Sequence, residues 1–560
     1  DKDGLKAMHH IAKVLIENEI TEEVQDLFLL LVYELLNGNL YINLKAYKPL
    51  IKLKAKGWPK EHLIHLKRSD WINGKSAIIV LDDDNLSLKR WSNEMSTTIE
   101  MIIEKGMLNS TQENTKERLY QLNSINCLNK AQQSAVNSIQ NHGVVLLSGG
   151  PGTGKTSTII HMLEQVFYSE PDIKIGLAAP TGKATKRLQD SLLNNLSKLD
   201  SDKKDKISRI PCKTLHKWLK ANYFGFGRNK SSPLNIDLLV IDEMSMVDLA
   251  LMQGLLEALP KKSKLVLVGD PNQLPPIGSG AIWKELQQEA ILKKFGKGAV
   301  HLDKVYRNRG AIASLSRILN EGELDRFWEK ASMQKESSNV RLIASNTNKL
   351  PTKAIHKLEK QRIELKTKVE LLMKEIRKNR ELGITETLQS NVLKSQIFDY
   401  LENLMVLSPK KSGPWGVYHI HRTLLGHCFE EGAVGWPEAT PIMCSENQQD
   451  LGLSNGDIGI IVGNGENRRF LFKILSEENQ LIYELIHPAR VKKIEPAFAL
   501  TIHKAQGSES NQVILLWPNS IKDLSNDTNL SKTQEIHKKR MLYTAITRAK
   551  EKLDINIPNN

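Results

Sequence analysis

An α/β fold with parallel β-sheets is the architecture that the sequence predicts. From about residue 119 onward, short apolar and β-branched runs alternate with helical periodicity, and the runs lie at 144–148, 174–178, 238–241 and 264–268. Crossover helices between parallel strands produce this alternation. Similar runs return at 405–408, 512–516 and 553–557. We therefore expect a second domain of the same α/β type.

Three further segments differ from this pattern. Residues 1–117 carry apolar side chains at helical spacing, which predicts a mostly helical domain. Residues 351–382 are dense in Lys, Arg and Glu. Because apolar residues recur there at helical spacing, at Leu365, Val369, Leu372 and Ile376, we expect a long, surface-lying helix. Residues 440–493 have glycines between short strand-like runs, which predicts a small β-barrel or meander.

These patterns divide the chain of 560 residues, which is too long for one hydrophobic core. The predicted bounds are 1–117 for the helical domain, 118–297 for the first α/β domain, 298–438 for the first part of the second α/β domain with a helical insertion at about 345–400, 439–494 for the small β insertion, and 495–560 for the remainder of the second α/β domain.

The composition is that of a globular protein with a basic excess. Lys and Arg total 78 and Asp and Glu total 64, which gives a formal charge of +14. Such an excess permits binding to a polyanion, and surface lysines that keep a protein soluble explain it equally well. The four cysteines lack metal-ligand spacing and fit a reducing compartment such as the cytoplasm. Because no apolar run approaches the length of a membrane span, we expect no membrane contact.

The clearest chemical motif is a complete phosphate-binding loop, or P-loop. It follows the strand-like run at 144–148 and opens a helical stretch, which is the context that the motif requires. Its residues are Gly149, Gly150, Pro151, Gly152, Thr153, Gly154, Lys155 and Thr156. The glycines let backbone N–H groups surround phosphate oxygens. Lys155 would reach the β- and γ-phosphates, and the Thr156 hydroxyl would bind Mg²⁺.

A pair of acids supplies the second element of a nucleotide site. Asp242 and Glu243 directly follow the apolar run at 238–241. A carboxylate at that strand end would lie beside the P-loop in a parallel sheet, with Asp242 on Mg²⁺ and Glu243 orienting the attacking water. An acidic pair after a strand is usually a solvated strand end. Because a P-loop lies upstream here, we interpret the pair as a second element of a metal site. Together the two motifs predict a nucleoside triphosphatase that uses ATP and Mg²⁺.

Seven further segments resemble the motifs of superfamily 1 helicases, in the order in which that family has them. They are 128–132 with Gln132, 179–184 with Pro180 and Thr181, 214–216 with Thr214 and His216, 269–275 with Gln273, 305–307 with Arg307, 501–509 with Thr501, His503 and Glu509, and 543–549 with Arg548. Each short piece also has an ordinary interpretation, such as a surface glutamine, a packed histidine or a surface ion pair.

The resemblance implies a role for each of these residues. Gln132 would read the adenine base, Glu509 would join the nucleotide-binding residues, and Gln273 would sense the γ-phosphate. Arg307 and Arg548 would bring positive charge from the second domain to the γ-phosphate. The remaining residues, Pro180, Thr181, Thr214, His216, Thr501 and His503, would contact single-stranded DNA. Lys155, Glu243, Gln273, Arg307 and Arg548 are thus the candidate catalytic set.

Within the superfamily, the chain is similar to the RecD family. The similar segments are 413–417, 453–459 and, more loosely, 85–91, whereas 345–400 departs from the family pattern. The resemblance implies two RecA-like domains, an SH3-like β insertion, and 5′-to-3′ movement on DNA. It also implies a heterotrimer with RecB-like and RecC-like subunits that acts at duplex ends in break repair and recombination. Residues 1–117 would dock the chain onto the RecC-like subunit. The nuclease would lie on a partner subunit, because no nuclease signature is found here.

Two alternatives remain at this point. One is a free-standing helicase of the same branch, although residues 1–117 lack the glycine pairs of a helix-hairpin-helix region. The other is a nucleotide-controlled scaffold whose ATPase has decayed. Intact Lys155, Asp242 and Arg548 argue against that second alternative.

Overall fold

The computed structural model describes most of the chain. The described residues are 21–36, 40–44, 57–73, 77–82, 84–107, 128–196, 201–276, 278, 280–306, 310–334, 339–346, 349–383, 387–476, 480–518 and 532–559. Within them, no helix is long and apolar enough to cross a membrane.

The amino-terminal part combines helices with a small antiparallel sheet. Its elements are α1 (Glu22–Leu36), β1 (Tyr41–Asn43), α2 (Lys60–Arg68), α3 (Asp70–Asn73), β2 (Ile79–Asp82), β3 (Asn85–Leu88) and α4 (Lys89–Met107). The strands pair in the order β1-β3-β2. Leu27, Ile42 and Leu86 are buried in a core of their own. The apolar run in α1 is therefore mainly internal core.

The first parallel sheet is built as the alternating pattern predicts. Its elements are α5 (Lys130–Asn141), β4 (Val144–Gly149), α6 (Lys155–Ser169), β5 (Ile175–Ala179), α7 (Gly182–Leu196), α8 (Ser201–Ser208), β6 (Cys212–Thr214), α9 (Leu215–Trp218), β7 (Ala221–Asn222), β8 (Gly225–Phe226), β9 (Leu238–Ile241), α10 (Leu249–Ala258), β10 (Lys264–Gly269), α11 (Ile282–Leu286), α12 (Glu289–Phe295) and β11 (Ala299–Leu302). Six parallel strands run in the order β11-β4-β10-β9-β5-β6, and β7 and β8 form a separate hairpin.

Helix α4 packs on this sheet rather than on the amino-terminal core. Ile102 and Ile103 are buried in the same cluster as residues of α10 and β10. The Lys105 ammonium donates to the carbonyl oxygen of Pro260 at 2.9 Å, and burial lowers the pKa of Lys105 to about 8. Residues 89–107 fall within the predicted amino-terminal domain, which was expected to extend to residue 117. Its apolar face instead completes the core of the P-loop domain.

A second parallel sheet follows, with two insertions. The elements before and within the insertions are α13 (Ala311–Asn320), α14 (Leu324–Ser332), β12 (Val340–Ser345), α15 (Thr352–Glu381), α16 (Leu388–Leu401), β13 (Leu404–Ser408), α17 (Val417–Leu425), α18 (Gly432–Gly435), β14 (Pro441–Cys444), β15 (Ile458–Val462), β16 (Arg469–Leu475), β17 (Leu481–Ile486) and β18 (Ile494–Pro496). The chain then forms β19 (Leu500–Thr501), β20 (Ser510–Leu516), α19 (Lys532–Ile546) and β21 (Ala549–Pro558).

The strands of this half form two separate sheets. Parallel strands run in the order β12-β21-β20-β13-β19, and antiparallel strands run in the order β17-β16-β15-β14-β18. The two parallel sheets confirm the predicted α/β fold. The antiparallel sheet lies where the small β insertion was expected, and its SH3-like character stays a prediction.

The long helix expected at 351–382 is present as α15, but it does not simply lie on the surface. Leu365, Val369 and Leu372 are fully buried. They pack with Ile460 and Leu471 of the antiparallel sheet and with α16. The helical spacing was interpreted correctly, whereas its partner is too distant in sequence for the burial to be predicted.

Candidate nucleotide site and domain junction

The P-loop connects the buried strand β4 to helix α6. Gly152 and Gly154 have φ values of 73° and 85°, in the left-handed region that glycine adopts without strain. A Cβ on Gly149 would lie 2.8 Å from Thr153 Oγ1 and 2.9 Å from the carbonyl oxygen of Leu302. The loop conformation therefore requires glycine at these positions.

Lys155 lies over the loop that precedes it. Its Nζ donates to the carbonyl oxygens of Gly149 at 2.9 Å and Gly150 at 2.8 Å. Thr153 Oγ1 also donates to Gly150, at 2.9 Å. A phosphate group in the loop would offer Lys155 charged oxygens in place of these neutral carbonyls, and charge-assisted hydrogen bonds are the stronger kind.

Asp242 and Glu243 follow β9, two strands away from the P-loop strand in the order β4-β10-β9. Asp242 Oδ1 accepts a hydrogen bond from the Glu243 backbone N–H at 2.9 Å. Burial and the neighbouring Glu243 carboxylate raise the pKa of Asp242 to about 6, against the opposing effect of Lys155. A divalent cation would offset both effects, so Asp242 and the half-buried Thr156 fit a metal ion that accompanies a nucleotide.

Gln132 lies beside the P-loop. It forms a capping box with Asn129 at the start of α5. Its Oε1 accepts from the Asn129 backbone N–H at 3.0 Å and from the Tyr306 hydroxyl at 3.2 Å. A Cβ on Gly154 would lie 2.6 Å from Gln132 Nε2. The Tyr306 backbone N–H also donates to the Gly152 carbonyl at 2.8 Å, a contact that the motif at 305–307 does not by itself predict.

Arg548 is placed among the acids of the site. It is 1% exposed. Its Nε donates to the Thr544 carbonyl at 3.0 Å and its Nη1 to the Ser508 carbonyl at 3.2 Å. Burial lowers the pKa of Arg548, and the carboxylates of Glu243 and Glu509 act against that effect. Arg307 lies outside the described residues, so its role stays a prediction.

The segment 269–275 contains a buried polar group that the sequence analysis missed. Asp270 Oδ2 accepts from the Tyr543 hydroxyl at 3.0 Å and from Gln273 Nε2 at 3.4 Å. Burial raises the pKa of Asp270. Gln273 Oε1 is buried and has no hydrogen-bond partner among the described residues. This acceptor fits a donor that arrives with a ligand, such as a water molecule on the γ-phosphate.

Leu274 joins the two halves of the chain through its backbone. Its N–H donates to Thr544 Oγ1 at 3.0 Å, and its carbonyl accepts from Gln506 Nε2 at 3.0 Å. Thr544 belongs to 543–549 and Gln506 to 501–509. One peptide segment beside the phosphate site is therefore bonded to both motifs of the second parallel sheet.

The residues predicted to contact DNA follow the carboxyl ends of strands. Thr181 Oγ1 accepts from the Ala184 N–H at 3.2 Å, and Thr214 Oγ1 caps α9 by accepting from the Lys217 N–H at 3.2 Å. Thr501 Oγ1 likewise accepts from the Lys504 N–H, at 3.4 Å. All three threonines thus have a structural role at a helix or turn start, whatever else they contact.

The other three candidates differ in exposure. Pro180 is buried, His216 is exposed and His503 is half-buried. His503 stacks on His537 with ring centroids 6.1 Å apart, and burial lowers its pKa. His216 is therefore the candidate whose side chain is open to solvent.

An exposed aromatic pair was also missed. Tyr223 and Phe224 form the turn of the β7–β8 hairpin and are 97% and 96% exposed. Their rings meet edge to face at 5.5 Å. Two neighbouring large apolar side chains with this degree of solvent exposure indicate a contact surface. The signal in the sequence was a Tyr-Phe pair between Asn222 and Gly225, a spacing typical of a turn.

Comparisons with known proteins agree with this architecture. A family model described as an AAA domain matches residues 132–279, and one described as a UvrD-like helicase C-terminal domain matches 496–555. The Bacteroides Pif1 structure bound to single-stranded DNA aligns with 76% of the chain at 17% identity, with a TM-score of 0.41. The fold is defined by the two parallel sheets, and a TM-score of 0.41 adds no support to it. The site, the two parallel sheets and the two family matches define the class as an ATP-dependent DNA helicase, similar to those of superfamily 1.

More particularly, the chain is similar to RecD proteins. It is 29% identical to the RecBCD enzyme subunit RecD of Buchnera aphidicola from Schizaphis graminum, over 92% of this chain and 86% of that protein. It is 28% identical to RecD of Mycolicibacterium smegmatis, over 76% of this chain and 70% of that protein. The ATP-dependent RecD2 DNA helicase of Deinococcus radiodurans is 27% identical over 76% of this chain and 48% of its own length. The resemblance to RecD is thereby confirmed.

Replacing Lys155 tests the nucleotide site. Lys155→Ala should lower the rate of ATP hydrolysis by at least about a hundredfold, because one of the few charges able to stabilise the γ-phosphate in the transition state is lost. Lys293→Ala is the control, since Lys293 is exposed and its ion pair among the described residues is with Glu289, at 2.8 Å in α12. Both variants should remain folded. Near wild-type hydrolysis by Lys155→Ala, with single-stranded DNA present, would show that the site is assigned wrongly.

Proposed function

We propose that this helicase is a motor that steps 5′ to 3′ along single-stranded DNA. The observation that supports it most strongly is the bonding of Leu274. Its peptide groups connect the segment beside the nucleotide to 501–509 and 543–549. Those two segments carry Thr501, a candidate DNA contact, and Arg548, a candidate catalytic residue. The direction of movement comes from the likeness to RecD.

In this proposal each site residue has a defined task in hydrolysis. The P-loop binds the phosphates of ATP, and Thr156 and Asp242 hold Mg²⁺. Glu243 orients the attacking water. Lys155, Arg548 and Arg307 stabilise the negative charge that develops on the γ-phosphate oxygens. Gln273, whose Oε1 lacks a partner among the described residues, reports on whether the γ-phosphate is present.

The DNA track runs along the strand ends of both parallel sheets. Thr181, Thr214, His216 and Thr501 are the candidates for contacts to phosphates, which position the strand without reading its sequence. The net charge of +14 supports binding to a polyanion. Tyr223 and Phe224 add a surface on which bases can stack, because every base has a π-face.

We further propose that the motor belongs to a RecBCD-type assembly. The relatives that it matches over most of their length are named as RecBCD subunits. RecB-like and RecC-like partners would supply the nuclease and the docking surface, and the assembly would act at duplex ends in double-strand break repair and recombination in the bacterial cytoplasm. The part of the chain before Lys89 is the proposed docking domain, because its described residues form a core around Leu27 that is separate from the motor core.

A free-standing helicase is the second candidate. The match to RecD2 favours it, although this chain covers only 48% of that protein. A scaffold with a decayed ATPase is disfavoured, since Lys155, Asp242, Gln273 and Arg548 are all present in one junction. Association with partner subunits separates the first two candidates.

The direction of movement can be measured by displacement of streptavidin from biotinylated oligonucleotides. We expect ATP-dependent displacement from the 3′ end to be at least about tenfold faster than from the 5′ end, because a motor that moves 5′ to 3′ pushes toward the 3′ end. The Lys155→Ala variant is the control without hydrolysis. Faster displacement from the 5′ end would overturn the direction and leave the helicase class intact.

The exposed aromatic pair should matter for DNA more than for ATP. Replacing both Tyr223 and Phe224 by Ala should weaken single-stranded DNA binding by about tenfold, since stacking of a base on an aromatic ring contributes roughly 1–3 kcal/mol. The KM for ATP should not change. Tyr168→Ala removes another exposed aromatic ring, 47% exposed on α6, and should leave DNA binding unaltered. Equal effects of the two changes would rule out a specific contact by the hairpin.

Deletion of 1–88 tests the docking proposal. Because α4 contributes Ile102 and Ile103 to the motor core, the deletion must stop before Lys89. The truncated chain should keep its DNA-stimulated ATPase activity and lose co-purification with large subunits from a native host. Deletion of 1–107 should in addition lower the unfolding temperature markedly. Retention of the large subunits by the shorter deletion would place the interface elsewhere.

A further inference from the structure

Helix α7 carries a charged group from the candidate DNA edge to the catalytic acids. It begins directly after Thr181, at the carboxyl end of β5. One turn further along, Arg187 Nη1 lies 3.7 Å from Glu243 Oε1, and its Nη2 donates to Glu509 Oε1. A single guanidinium thus bridges the water-orienting acid of the first sheet and an acid of the motif at 501–509.

This bridge is a concentrated charge cluster rather than a surface ion pair. The side chains of Glu243 and Glu509 are 14% and 10% exposed, and that of Arg187 is 36% exposed. Burial disfavours the charged guanidinium, but Glu509, Glu243 and Asp242 outweigh it and raise the pKa of Arg187. The carboxylates of Glu243 and Glu509 also oppose the lowering of the pKa of Arg548 by burial. Both arginines therefore lie within the electrostatic reach of these two glutamates.

The same helix is also bonded to the antiparallel sheet. Lys186 Nζ lies 2.6 Å from Asp457 Oδ2 and donates to the Lys473 carbonyl at 2.8 Å. Lys473 Nζ in turn lies 2.8 Å from Asp190 Oδ2. Positions 186 and 190, which are four residues apart, are neighbours on the surface of α7. Because Arg187 lies on the same helix, a shift of the first turn of α7 would also move the guanidinium beside Glu243.

We propose that Arg187 is the positioning residue through which DNA bound at the start of α7 controls hydrolysis at Glu243. A phosphate bound near Thr181 displaces or fixes the first turn of α7, and the guanidinium one turn away sets the orientation of the Glu243 carboxylate. Arg187 acts on the water through Glu243. The proposal rests on the proposed function, because it needs DNA as the ligand of α7.

Two replacements of Arg187 test its charge and its shape separately. Arg187→Gln removes the charge, whereas Arg187→Lys keeps it. A lysine ammonium is a point charge without the planar fork of arginine, so it serves two carboxylates less well. Glu509→Gln removes the other end of the bridge. Asp190→Asn is the matched control on the same helix, since it breaks the pair with Lys473 and leaves Arg187 untouched.

The measured quantity is DNA stimulation, the ratio of kcat for ATP with saturating oligo-dT to kcat without DNA. For Arg187→Gln we expect this ratio to fall at least tenfold, with the KM for ATP and the affinity for oligo-dT within about threefold of wild type. Arg187→Lys should recover part of the ratio. Glu509→Gln should lower the ratio as well, because it removes the acid that accepts the hydrogen bond from Arg187 Nη2.

Three results would contradict the proposal. The first is wild-type stimulation in Arg187→Gln with the protein folded. The second is an equal loss of stimulation in Asp190→Asn, which would show that any loosening of α7 suffices. The third is a loss that appears in KM alone, which would make Arg187 a nucleotide-binding residue. If Arg187→Gln does not fold, the comparison of Arg187→Lys with Asp190→Asn decides. A wild-type ATPase that DNA does not stimulate at all would instead contradict the proposed function.

Discussion

A buried peptide segment at Leu274 joins the two halves of this motor through its backbone. A backbone N–H and C=O that are buried must find partners, and both groups of Leu274 find them in the second half, in Thr544 and Gln506. Leaving such a group unpaired costs roughly 1–3 kcal/mol. Because the bonds involve backbone atoms on the first-half side, they fix the position of the chain itself.

The charged groups around the Leu274 segment compensate one another. Asp242, Glu243, Asp270 and Glu509 contribute negative charge, and Lys155, Arg187 and Arg548 contribute positive charge. A buried charge without a partner is strongly destabilising, so removal of one member leaves its neighbours uncompensated. Burial raises the pKa of Asp242 and Asp270 and lowers that of Arg548. Shifted ionisable groups that gather in one junction are typical of a functional site.

Local patterns in the sequence were sufficient for the nucleotide site. A strand, a glycine-rich turn and a helix are adjacent in the chain, so the P-loop could be predicted. The alternation of strands and helices likewise predicted the two parallel sheets. The elements that cover the buried faces of helices could not be predicted from local patterns. Leu365 is covered by strands about a hundred residues away in the chain. Helix α4 packs on a core that is formed by residues later in the sequence. The bridge from Arg187 to Glu509 spans 322 positions in the chain, so no local signal indicates it.

The first sheet separates its two tasks by strand position. The P-loop, Asp270 and Asp242 follow the inner strands β4, β10 and β9, whereas Thr181 and Thr214 follow β5 and β6 toward the edge. All six strands are parallel, so these groups lie along one edge of the sheet, about 4.8 Å from strand to strand. Strand β5 is the neighbour of β9, and α7 is the helix that follows β5. In the proposed arrangement, DNA that moves Thr181 acts one strand away from Asp242 and Glu243, and the first turn of α7 is a shorter connection to the nucleotide site than a relay across the core.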